Sequence, residues 1–180
     1  QHFSFVPLPI QESIEKDFEA VGIKIQTKTS KLVVIGLYRS PSGNEDIFFS
    51  KFEHLLSSLT NQSQVFVIMG DFNIDALDND HHSTIRLVDL LRSYDLELLV
   101  NSPTRVTATT TSAIDNIVTN HLSVAVHVVN TAISDHYGQE AVISGIQLKR
   151  EPKIKQTIRD LRPENIAHLN TSLSKGDGIF

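Results

Sequence analysis

A chain of 180 residues is enough for one ordinary domain and a tail, and 40% hydrophobic with 21% charged residues excludes a disordered or fibrous protein. Sixteen basic residues against 21 acidic ones leave a formal charge of −5, which excludes nucleic-acid binding by bulk positive charge but not a metal-assisted phosphate site. Cysteine is absent, so disulfides, thiolate metal sites and cysteine nucleophiles are excluded, and no apolar run approaches the ~18 residues of a membrane span.

Phe18 to Ile25 (FEAVGIKI) alternates loosely and predicts a strand, closed by a turn at TKTSK. Leu32 to Tyr38 (LVVIGLY) is a short, β-branched apolar run, the pattern of a strand buried on both faces. After the loop RSPSGNED, Phe48, Phe52, Leu55, Leu56 and Leu59 fall on one helical face, with Asn44 and Asp46 as candidate caps. Val65 to Met69 predicts a second buried strand, which runs into the polar loop GDFNIDALDNDHH. A helix follows over Ser83 to Tyr94, with Ser83 as its cap, and then a strand-like run from Leu96 to Val100. Strands are predicted at Ala113–Val118, Val124–Val129 and Glu140–Ile146. From Gln147 the chain turns charged and polar, with a further helix expected at Pro163–Leu173. Mixed strands and helices of this kind make a layered α/β domain.

Four polar clusters directly follow or flank the apolar strands: Tyr38–Arg39, Gly70–Asp71–Phe72–Asn73, Asp115–Asn116 and Ser134–Asp135–His136. Loops on a rigid sheet are where catalytic groups collect. Hard carboxylate oxygens suit Mg²⁺ or Mn²⁺, and an imidazole can handle protons or a phosphate oxygen, so the set points to metal-assisted phosphoester hydrolysis. His81 and His82 beside Asp78 and Asp80 read as a mixed polar loop, and His54, His121 and His127 as structural. The Thr-rich run 107–111 is open to either a substrate contact or plain loop, and Lys149, Arg150, Lys153 and Lys155 read as a solvated linker.

In order, LYRSP (37–41), MGDFN (69–73), SPTR (102–105), SAIDNIV (112–118) and SDH (134–136) resemble the endonuclease/exonuclease/phosphatase superfamily. The likeness is to the apurinic-type endonuclease domain of non-LTR retrotransposon polyproteins, and RDLRPENIAHL (159–169) resembles the connector to the reverse transcriptase. The resemblance implies a two-sheet α/β sandwich with outer helices and Mg²⁺- or Mn²⁺-dependent endonucleolytic cleavage of DNA phosphodiesters. It implies that Asp71 orients or deprotonates the attacking water, Asn73 holds the scissile phosphate and Asp135 contributes to the metal site. His136 would contact the phosphate, Asp115 would hold His136 in its tautomer, and Tyr38 would lie against the phosphate, with Arg39 assisting DNA backbone contact. A reverse transcriptase domain in the same polyprotein and a nuclear location are further expectations.

The family pattern opens with one strand ending in Asn and another ending in Glu, a principal metal ligand. Neither precedes LYRSP, and Glu12, Glu15 and Glu19 do not take that place. The expectation is a fragment: a partial nuclease domain over 1–147, incomplete at its N-terminus, and a linker over 148–180. Two other readings stand beside the nuclease: a non-catalytic retrotransposon remnant, and a phosphatase of the same superfamily.

Overall fold

The computed structural model describes residues 4–28, 30–62, 64–148 and 162–174. Its elements are β1 (Phe5–Leu8), β2 (Glu19–Gln26), β3 (Lys31–Tyr38), α1 (Glu45–Thr60), β4 (Val65–Asp71) and α2 (His82–Arg92). They continue as β5 (Arg105–Val106), β6 (Thr111–Ser112), β7 (Asp115–Thr119), β8 (Val124–Val129), β9 (Gly138–Ile143) and α3 (Pro163–Ser174). The basic residues between 149 and 155 lie outside the described residues.

Both apolar runs are central strands. β3 and β4 are parallel neighbours joined through α1, and the sheet order is β1-β2-β3-β4-β7, all other pairs being antiparallel. Side chains alternate between its faces. Val33, Ile35, Leu37, Phe66, Ile68 and Val118 point to the helix layer, where Phe48, Phe52, Leu55, Leu56, Leu87 and Leu91 meet them. Leu32, Val67 and Ile117 point the other way, towards Val126, Val128, Ala141 and Ile143 of the β8–β9 hairpin. Burial on both faces explains why β3 and β4 read as continuous rather than alternating apolar runs. The result is a mixed α/β fold with several sheets, as the resemblance implies.

Several local expectations are revised. The Asn44 side chain caps α1 by accepting from the Ile47 N–H at 3.1 Å, and Asp46 sits in the first turn instead. His81, not Ser83, caps α2: its Nδ1 accepts from the Ser83 N–H at 3.3 Å, while the Ser83 hydroxyl donates to Glu45 at 2.7 Å. Leu96–Val100, read as a short strand or strand-like run, forms no strand. It is tied to β7 by the Leu99 N–H donating to the Ile117 carbonyl at 3.0 Å and by the Asn116 side chain, which accepts from the Val100 N–H at 3.0 Å and donates to the Val100 carbonyl at 2.9 Å. The last strand spans Gly138–Ile143, pairing with the whole of β8. No described helix is long and apolar enough to cross a membrane.

Candidate active site

Register brings three sequence clusters into one row. Tyr38 ends β3 opposite Asp71, which ends β4, and Asp71 lies opposite Asp115, which begins β7. Asp71 shares the parity of Val67, and Asp115 that of Ile117, so both occupy the face turned away from the helices. Tyr38, two-residue alternation from Leu32, has the same parity and is 41% exposed.

Gly70 makes the row possible. Its φ is +148°, and a Cβ there would sit 1.8 Å from the Leu37 carbonyl oxygen. Only glycine admits that approach of β4 to β3. Beyond Asp71 the chain is pinned by Phe72, whose ring packs at 5.8 Å from Phe52 and 6.3 Å from Phe48. Asn73 follows in the left-handed region, at φ +49°. Its N–H donates to Asp71 Oδ1 at 2.9 Å, and its Nδ2 donates to the Arg39 carbonyl at 2.6 Å.

Asp115 and His136 form a pair. His136 Nδ1 lies 3.1 Å from Asp115 Oδ2 and 3.3 Å from Oδ1. A carboxylate accepts here, so Nδ1 carries the proton and Nε2 is left as the acceptor nitrogen. Thr104, fully buried, donates from Oγ1 to Asp115 Oδ2 at 2.8 Å and accepts from the Asp115 N–H at 3.1 Å. Asp71, Asp115 and His136 each offer a ligand atom, all within 4.8 Å of one another. Partial burial is the main cause that pushes the Asp71 carboxyl above its ordinary value, and the Asp115 charge adds to it; the Asn73 N–H, His136 and Arg105 act in the opposite direction. Two hard carboxylates that repel each other in a half-buried cluster fit a small divalent cation, which takes one or two carboxylates and otherwise keeps water or substrate oxygens.

Arg39 and Asp135 are each engaged by other groups of the protein. Arg39 is 3% exposed. Its Nε donates to the Phe72 carbonyl at 2.8 Å and its Nη2 to the Asn73 carbonyl at 2.7 Å, with Glu45 at 3.9 Å. It is a brace for the GDFN loop. Asp135 stands apart from the three-residue cluster: its Oδ2 accepts from Arg105 Nε at 2.8 Å, and that guanidinium holds its carboxyl below the ordinary value.

Residues without an assigned role in the sequence also build the site. Thr104 fixes Asp115, and the SPTR motif ten residues ahead of IDN was its available signal. Asp75 ties the GDFN loop to the approach of β7, its Oδ1 accepting from the Ala113 N–H at 2.8 Å and the Leu77 N–H at 3.0 Å.

The metal-compatible Asp–Asp–His cluster lies at the strand ends of this mixed sheet, on the face that packs against the β8–β9 hairpin, and the class of the domain is endonuclease/exonuclease/phosphatase. The family model described as endonuclease-reverse transcriptase matches residues 32–140, more than half of the chain, and the chain belongs to that family. No curated protein matches. Among solved structures, the endonuclease domain of TRAS1, a telomere-specific non-LTR retrotransposon, is similar with a TM-score of 0.63 at 15% identity, over 83% of this chain and 70% of that one. The 3′–5′ exonuclease NExo from Neisseria meningitidis gives 0.57 at 16% identity, over 79% and 70%. A beta toxin variant from Staphylococcus aureus with bound magnesium ions gives 0.50 at 17% identity, over 69% and 57%. The chain thus spans 57–70% of the length of these three structures.

Proposed function

We propose that this domain cleaves DNA phosphodiesters endonucleolytically with Mg²⁺ or Mn²⁺, as part of a non-LTR retrotransposon polyprotein that also carries a reverse transcriptase and reaches its target DNA in the nucleus. Family membership and the likeness to the TRAS1 endonuclease domain support the substrate class. The observation that carries the chemistry is the Asp115–His136 pair facing Asp71 within 4.8 Å.

In this reading Asp115 keeps the His136 ring oriented, with Nε2 towards a phosphate oxygen. When the ring takes a second proton, Asp115 balances its charge as negative charge grows on the phosphate. Asp71, open on the side away from the Asn73 N–H, orients the attacking water. Asn73 and Tyr38 bound the space in which the phosphate rests. The remaining carboxylate oxygens of Asp71 and Asp115 would hold the cation. Bound there, Mg²⁺ or Mn²⁺ supplies Lewis-acid stabilisation of the leaving oxygen.

The test is nicking of supercoiled plasmid by the purified chain with Mg²⁺ and with EDTA. Asp71→Ala and His136→Ala serve as controls for contaminating nuclease. Mg²⁺-dependent nicking that falls by about 10² or more in both variants is expected. Equal nicking by both variants, or none by a folded wild-type chain, defeats the reading. Competition by soluble phosphate esters, without competition by DNA, would move the domain to the phosphatase branch.

A further inference from the structure

A phosphodiester entering this row meets the carboxylates of Asp71 and Asp115, with Asp135 close by on the neighbouring loop. A cationic side chain beside the row would offset part of that charge where the backbone of the substrate lies. Arg39 is excluded, since its guanidinium is buried and committed to carbonyls. Arg105 is placed differently. Its backbone forms a β-bridge to His136, the Val106 N–H donates to the Asp135 carbonyl at 2.9 Å, and Thr104 on its other side holds Asp115. Its guanidinium is in the open, paired to Asp135 with the two side chains 43% and 42% exposed.

Among the described residues that pair uses Nε alone, so the Nη edge of the fork faces no protein acceptor. An exposed ion pair of this kind is weak, so exchanging its acceptor costs little. A guanidinium fork on a phosphate is one of the stronger charge-assisted contacts, because both N–H groups match the spacing of two phosphate oxygens. The Arg105 charge is also felt at Asp71, where it acts to lower the proton affinity.

We propose that Arg105 is a phosphate-binding residue of this site, held by Asp135 until a backbone phosphate of the nucleic acid takes the carboxylate's place. This rests on the reading of the domain as one that engages DNA. The phosphate it takes is one flanking the scissile bond, since His136 lies across the bridge from it.

The experiment is binding of a fluorescently labelled DNA duplex in EDTA, followed by anisotropy over a range of salt. Arg105→Gln is expected to bind several-fold more weakly and to flatten the plot of log K against log salt by about 0.9, the contribution of one phosphate contact. Arg105→Lys, which keeps the charge and loses the fork, is expected to keep the slope and recover part of the affinity, and it stands in should the Gln variant misfold. Asp135→Asn is expected to tighten binding, with a smaller gain when combined with Arg105→Gln. An unchanged slope in Arg105→Gln, or the same gain from Asp135→Asn in both backgrounds, overturns the proposal. A wild-type chain that binds no duplex overturns it too. A chain that binds with the expected Arg105 dependence, yet nicks no plasmid, upholds the proposal and defeats only the catalytic reading.

Discussion

Asp71 carries a cost that its site explains. Its proton affinity is raised above the ordinary value of 3.8, first by burial and then by the Asp115 charge. Between 3.8 and the raised folded value, the native state holds a proton that the unfolded chain has lost. Stability contributed at this residue therefore falls as pH climbs through that window and stays low at neutral pH. Asp71→Asn retains an acceptor for the Asn73 N–H and removes the buried charge. In EDTA at pH 7 it is expected to melt above wild type, the difference closing as pH drops below 3.8; a variant that melts lower at pH 7 and equally low in acid would sink this account. Arg39 acts in the opposite sense. Arg39→Met leaves the Phe72 and Asn73 carbonyls without their donors, at roughly 1–3 kcal/mol per stranded group, and frees the loop that carries Asp71. Chemical denaturation measures the loss, and a variant as stable as wild type would mean water replaces the guanidinium.

Strands and helices position these residues through packing that periodicity foretells. The α1 face of Phe48, Phe52, Leu55, Leu56 and Leu59 was visible at helical spacing, and all five are buried. Phe52 stacks on Phe48 and meets Phe72 edge-on, so it supports the GDFN loop as well as the core. Phe52→Ala should cost about 3–5 kcal/mol by thermal or urea unfolding, and a loss below about 1 would show that the Phe cluster collapses around the gap. Gly70 couples β4 to β3 more tightly. Gly70→Ala adds overpacking against the Leu37 carbonyl, about 1–3 kcal/mol, to the strain of a φ that alanine avoids. Its urea midpoint should fall with the slope unchanged; an unaltered midpoint would mean the strands separate at no cost. Nothing in the MGDFN run announces this role, because the obstructing atom belongs to a residue 33 positions earlier in the chain.

A cation held at this site would link it to the stability of the molecule as a whole. A divalent ion that binds only the folded cluster raises the unfolding free energy by about 2.7 kcal/mol at a hundred times its dissociation constant. Mg²⁺ or Mn²⁺ should therefore raise the melting midpoint of wild type and leave an Asp71→Asn/Asp115→Asn variant unmoved. Equal shifts in both proteins would place the ion elsewhere. The nearest-neighbour pattern of apolar residues was enough to find β2, β3, β4, β7, β8 and β9 and the α1 and α2 faces, since period and capping are local properties of the chain, but it left β1, β5 and β6 unread. The order of GDFN, IDNI and SDH was enough to mark the residues that meet. Which basic side chain is free was not readable in this way. Arg39 and Arg105 both sit in polar segments between apolar runs and look alike in sequence, yet one is sealed among backbone carbonyls and the other stands open against Asp135. Burial, register and ion pairing are set by contacts between residues tens of positions apart: Tyr38 with Asp71, Asp71 with Asp115, Arg105 with Asp135. Those contacts exist once the sheet has chosen its strand order, and no local stretch of the chain encodes that choice alone.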